Sequence, residues 1–157
     1  MHLFLWRFLI NLWPPFLFAG IRCTHVAKDF RRIDVAMRSY WLNLNIMRTH
    51  FGGSLYAMTD PWYMAMLMQI MGRDYYVWDR RAEIDFEAPG RGTVRATFTL
   101  NQAQIDAIRA ATADGDKHLA EFDVEIFDAQ QKRVALVKKT VYVRKKPQHR
   151  VAKDSVQ

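Results

Sequence analysis

An α+β fold, with an antiparallel sheet wrapped around one long central helix, is what this sequence predicts. Three observations lead to it. Between Ser54 and Met71 the only clearly polar side chains are Ser54, Thr59, Asp60 and Gln69, and a helix apolar on nearly every side must be surrounded by protein. On both flanks of that segment the apolar period is two, the period of strands. The later strands are joined by hairpin-length links, which connect antiparallel neighbours.

The elements follow in order. Helical spacing covers Leu3 to Leu12, and Pro14-Pro15 is expected to end it. The apolar opening, MHLFLWRFLINLWPPF, raises a signal peptide or an anchor. Arg7 and Asn11 interrupt it, it is too short to span a bilayer, and it shows neither a basic leader nor a small-residue cleavage site. An amphipathic helix docked on the domain is the expectation, with membrane-surface association as its alternative. Ile21 to Arg38 reads as extended chain turning near Lys28-Asp29, with Arg31, Ile33, Val35 and Met37 on one side and Arg32, Asp34, Ala36 and Arg38 on the other. SYWLNLNIMR from Ser39 reads as a loop or short helix, and the central helix closes at Gly72 as its C-cap. Tyr76 to Phe86 alternates as a strand, APGRG from Ala88 is a turn, and TVRATFTL from Thr93 is another strand. Asn101 with Gln104 forms a capping box for a helix to about Ala113, and two strands follow around AQQK. The domain reading is one unit over residues 1–146, residues 1–15 being the docked helix, with a basic flexible tail over 147–157.

The chain has 157 residues, half of them apolar and a quarter charged, which fits one globular domain. Its 23 Lys and Arg against 16 Asp and Glu give a net charge of +7. Such an excess favours anionic partners: nucleic acid, a phosphorylated ligand or an acidic membrane surface. Cys23 is the single cysteine, so an intrachain disulfide is excluded and a reducing, cytoplasmic setting is expected. Cys23 itself reads as packing in extended chain. The five histidines are scattered, and there is no nucleophile elbow, zincin motif, phosphate loop or Cys/His zinc spacing. No metal and no cofactor are expected.

One constellation carries chemistry. Asn45, the Gly52-Gly53 pair and Asp60 lie within 16 residues, with Asp60 followed by Pro61. Asp before Pro is also a helix N-cap pattern, so Asp60 has a structural reading beside a chemical one. The segment resembles the active-site segment of PaaI-type acyl-CoA thioesterases: an Asn, six residues to His-Gly-Gly, and an acid nine residues past that His. Here the spacing holds, but the His position is Phe51, with His50 one residue earlier. FGGSLYAMTDP, VWD, PGRGTV and NLWPPF are similar to a family of hotdog-fold proteins known as DUF4442. That resemblance covers nearly the whole chain.

The resemblance implies a hotdog fold and a thioesterase-like site. Asp60 would be general base or nucleophile in largely apolar surroundings. The Gly52 and Gly53 amides would be oxyanion donors, since neither residue has a Cβ to block a close approach. Asn45 would orient the water or the carbonyl. Phe51, His50, Ser54, Thr59 and Arg91 are the expected substrate-binding residues: Phe51 as a wall of the acyl pocket, Arg91 for a phosphate of coenzyme A, and Ser54 and Thr59 as hydrogen-bond donors or merely partners of backbone carbonyls. Arg73, Arg80 and Arg81 are further phosphate candidates. Met58, Met64, Met66, Met68 and Met71 are core, or in part an acyl-chain lining. The site is implied to be shared, Asn45 and Asp60 coming from different subunits of a homodimer or a dimer of dimers. The expected substrate is an acyl-CoA or acyl-carrier thioester, with coenzyme A entering only as part of it. A non-catalytic acyl- or CoA-binding or assembly module is the alternative. A hotdog dehydratase is disfavoured by Phe51, and nucleic acid and stable membrane insertion are not expected.

Overall fold

The computed structural model describes residues 3–149. A six-stranded sheet, antiparallel throughout, curves around the helical segment that begins at Gly52. Helices α1 (Leu3–Leu12) and α2 (Pro14–Ala19) lead into β1 (Ile21–Val26) and β2 (Arg32–Arg38). After a loop come α3 (Gly52–Ala57), α4 (Trp62–Met71), β3 (Tyr75–Phe86), β4 (Thr93–Thr99), α5 (Gln102–Ala111), β5 (Lys117–Phe127) and β6 (Arg133–Lys145). The strand order β1-β2-β4-β5-β6-β3 puts β1 and β3 at the edges. This is the expected hotdog architecture.

The core lies between the sheet and α4. Trp62 is fully buried and donates its indole N–H to Met58 O at 2.7 Å. Its ring meets those of Trp6, Phe16 and Phe98, so one side chain ties α1, α2 and β4 to the central helix. Tyr63 stacks on Phe122 at 4.1 Å, fixing the same helix to β5. Aromatic side chains bury large areas each and dominate such cores.

Four expectations are corrected. Pro14-Pro15 ends α1 but also opens α2, where proline's fixed φ suits the first helical positions. The central helix is not continuous: a turn over residues 58–61 separates α3 from α4. The alternation of β3 does not run unbroken, because a bulge between Asp79 and Arg81 shifts its parity. Val77 and Asp79 share the inner side with Ala82 and Ile84, whereas simple alternation puts them on opposite faces. Residues Pro147–His149 form a 3-10 turn, with His149 Nε2 at 3.4 Å from Asp74 Oδ1, so the start of the expected tail is anchored. The rest of that tail lies outside the described residues.

Other elements stand as read. The capping box is complete: Gln104 N donates to Asn101 Oδ1 at 2.8 Å, and Asn101 N to Gln104 Oε1 at 2.9 Å. Gly72 ends α4 at φ 78°, a region open to glycine. Cys23 is buried in β1, and burial pushes its thiol up to about 12, which leaves it inert as a nucleophile at neutral pH. Among the described residues no helix is long and apolar enough to cross a membrane.

Candidate active site

Residues 39–51 run as a loop that folds back on itself. A lone bridge pairs Leu44 with His50, and Asn45 organises the turn between them. Asn45 Oδ1 accepts from Met47 N at 2.9 Å and Thr49 N at 3.1 Å; its Nδ2 donates to Thr49 Oγ1 at 2.9 Å and to His50 O at 3.4 Å. The amide expected to orient a water or a carbonyl is therefore engaged in its own loop, most weakly at His50 O.

The loop is latched to the APGRG turn. His50 N donates to Gly90 O at 2.9 Å, and His50 Nε2 lies 3.0 Å from Gly92 O. A carbonyl only accepts, so Nε2 carries the proton and Nδ1 is the bare nitrogen. His50 is buried, its Nδ1 has no partner among the described residues, and burial lowers its pKa, against the opposing effect of the Gly92 bond. Gly90 permits the close approach: a Cβ there would stand 3.1 Å from Val134 Cγ1 and 3.2 Å from His50 Cδ2.

Loop, turn and the start of α3 border an open cavity of about 470 Å³. Asn45, His50, Gly52 and Arg91 line it, with apolar walls from Leu55, Phe86 and Pro89. Gly52 and Gly53 are the first two residues of α3, ahead of Ser54 and Leu55, whose amides already bond back to Phe51 O. Helix-opening amides have no partner within the helix. Gly52 faces the cavity, where an added Cβ would stand 3.0 Å from the Phe86 ring. Arg91 donates to Arg48 O at 3.3 Å, which holds the guanidinium at the mouth.

Three expected binding residues fall elsewhere. Phe51 is 57 % exposed and does not line the cavity; the one-residue step at the glycine turn sends His50 inward instead. Thr59 is buried and donates to Tyr56 O at 2.8 Å, so it satisfies a backbone carbonyl. Ser54 stands outside the cavity. The methionines of this segment are not cavity lining either: Met58 and Met66 are fully buried core, and Met68 is exposed beside Arg73 in a separate groove. Arg81 is paired with Glu83 at 3.2 Å.

Asp60 does not cap a helix. Pro61 occupies the N-cap position of α4 without a side-chain cap bond, and the Asp60 carboxylate turns toward β6. Its surroundings are not apolar. Lys139 Nζ donates to Asp60 Oδ1 at 3.0 Å and the Tyr56 hydroxyl donates to the same oxygen at 3.1 Å. Both contacts fall on Oδ1, and the side chain is 46 % exposed. Lys139 is wholly buried on the inner side of β6, 3.2 Å from Asp79 Oδ1 and over the Tyr56 ring. A buried ammonium is tolerated only when paired, and two carboxylates share this one. Burial raises the pKa of Asp79, offset in part by Lys139.

Sequence reasoning missed Lys139, Tyr56 and Asp79. One signal existed: in RVALVKKTVYV, strand parity puts Lys139 among the inward Val137, Val141 and Val143. Within one chain, then, Asn45, His50, Gly52 and Arg91 meet in a cavity, while Asp60 lies outside it in a separate charged cluster. Among the described residues no group of three His, Cys, Asp or Glu is placed to hold a metal ion.

No curated protein matches the chain in sequence. Solved structures do match in fold. A Pseudomonas aeruginosa protein of unknown function, PA5026, described as a probable thioesterase, superposes with a TM-score of 0.80 at 17 % identity, over 93 % of this chain and 97 % of that one. The Haemophilus influenzae thioesterase HI1161 gives 0.66 at 13 % identity, covering 90 % of each chain. The Escherichia coli PaaI protein from the phenylacetic acid degradation operon gives 0.61 at 20 % identity, covering 88 % of each. At these identities the likeness is one of fold. In sequence, the model of the domain of unknown function DUF4442 matches residues 2–143, and the chain belongs to that family.

Proposed function

We propose that the protein is a thioester hydrolase acting on acyl-CoA or acyl-carrier thioesters, at sites shared between two copies of the chain. The observation that carries this reading is that both halves of the motif border the edge strand β3. The cavity with His50 and Gly52 abuts Phe86 at the end of β3, and Asp60 is tied through Lys139 to Asp79 within it. A long unpaired edge is a ready site for pairing with a second copy. Antiparallel pairing of two β3 edges would set each cavity toward the partner's β3, and with it the partner's Asp60. The thioesterase descriptions of PA5026 and HI1161 agree with this reading.

In the proposed reaction the thioester carbonyl enters the cavity and its oxygen accepts from the Gly52 and Gly53 amides. The free edge of the Asp60 carboxylate, Oδ2, takes a proton from a water. That water attacks the carbonyl carbon, and the tetrahedral intermediate collapses by breaking the C–S bond and releasing the thiolate. Asn45 reaches the carbonyl by giving up its 3.4 Å bond to His50 O. Arg91 at the mouth meets an anionic group of the carrier, and the neutral His50 presents Nδ1 as an acceptor to the bound group.

Release of free thiol from a panel of acyl-CoA esters tests this. We expect turnover by the native protein and a fall of at least about 10²-fold in Asp60→Asn, the usual contribution of a positioned base. Full activity in Asp60→Asn would end the assignment of that residue. A second reading, a non-catalytic acyl- or CoA-binding module, is favoured by the double engagement of Asp60 Oδ1 and by Phe51 at the family's His position. Saturable binding of CoA esters without thiol release would select it.

A further inference from the structure

Helix α1 inverts the ordinary arrangement of a surface helix. Its two polar residues face the protein and bond the free edge of β1. Asn11 Nδ2 donates to Cys23 O at 3.1 Å, its Oδ1 accepts from Cys23 N at 2.7 Å, and Arg7 Nη1 donates to Thr24 O at 3.2 Å. Its outward stripe, Phe4, Leu5, Phe8, Leu9 and Leu12, is wholly apolar and exposed, Phe4 at 72 %. The apolar surface continues through Trp13 and Phe18. The Tyr40 hydroxyl donates to Phe18 O and Asn43 Nδ2 to Ala19 O, so the loop bearing the exposed Trp41 and Leu42 abuts the end of α2. A contiguous apolar face of this kind marks an interaction surface.

Charge selects the partner. Residues 3–53, which contribute this face and the strands behind it, hold seven Lys or Arg and two acidic residues. Both acids are taken: Asp34 is 3.1 Å from Arg32, and Asp29 is 4.0 Å from Arg31. Two copies meeting through this face would bring like charges together, whereas an anionic partner is attracted. An apolar ridge bearing Trp and Phe, carried by a net-basic stretch of chain, fits the boundary between lipid headgroups and acyl chains. Ten helical residues span about 15 Å, half of a bilayer core, so the helix lies in the surface and does not cross it. We infer that the α1–α2 face docks on the surface of an anionic lipid bilayer. This inference is independent of the thioester reading.

Flotation of the full chain with vesicles is the test, using phosphatidylcholine alone and phosphatidylcholine with about 30 % phosphatidylglycerol. The native protein should float with the anionic vesicles, less with the neutral ones, and less again at high salt. The Phe4→Gln, Phe8→Gln, Leu12→Gln triple variant changes only exposed side chains. It should keep its thermal midpoint and lose partitioning by at least about 10-fold. Native protein left in solution with anionic vesicles overturns the inference, as does a triple variant that floats like the native chain. A smaller mass for the triple variant in light scattering also overturns it, by assigning the face to contact between copies.

Discussion

Lys139 holds two carboxylates, and its removal is the most informative change at the level of single residues. In Lys139→Met, Asp79 loses the cation that offsets its burial and Asp60 loses the donor that aims it. Breaking a buried pair from one side costs about 3–5 kcal/mol, and urea unfolding should show a loss of that order. Adding Asp79→Leu to Lys139→Met should recover much of it, because the stranded buried charge is then gone. His50 supplies a pH dependence. Its folded pKa lies below its unfolded value, so unfolding takes up a proton, and the stability it contributes is present above about 6.5 and lost as pH falls below that. The unfolding midpoint of the native chain should fall more between pH 7.5 and 5.5 than that of His50→Gln. The cavity residues Asn45, His50, Gly52 and Arg91 were legible because three of them fall within eight consecutive residues whose spacing is itself the signal. Of the two expected wall residues only His50 turns inward, since at a glycine turn one residue decides which side chain faces the cavity. Asp60's partners were hidden: the bond from Lys139 spans 79 positions, and only the bulged register of β3 brings Asp79 beside it.

At the scale of elements, local chemistry was readable where it repeats and unreadable where it changes phase. The α5 capping box is written in two side chains three positions apart, and both bonds form. Asn101→Ala should cost about 1 kcal/mol in chemical denaturation, a cap's usual contribution. Full stability in that variant would show that α5 is held by packing alone. The break between α3 and α4 was masked by uniform apolarity: Met58, Thr59 and Trp62 are all buried, so burial pattern does not mark a turn there. Pro61, Asp60 and the Thr59 hydroxyl bond to Tyr56 O together make the turn. The consequence is geometric. A continuous helix would carry Asp60 on a regular face, whereas the turn frees its carboxylate toward β6.

Over the whole molecule, the sheet order was not legible, since β3 pairs with β6 and not with its sequence neighbour β4. That crossover leaves β3 as an edge, and the proposed sharing of the site rests on that edge. The native chain, 18.5 kDa as a monomer, should run at twice that mass or more in light scattering. Mixing two inactive variants measures the sharing directly. Asp60→Asn removes the carboxylate, and Gly52→Val fills the cavity against Phe86. In a mixed dimer with a shared site, one site carries both changes and the other carries neither. Co-expression with random assortment should therefore restore thiol release to about a quarter of the native level. Mixtures no more active than the separate variants would contradict a site built from two chains.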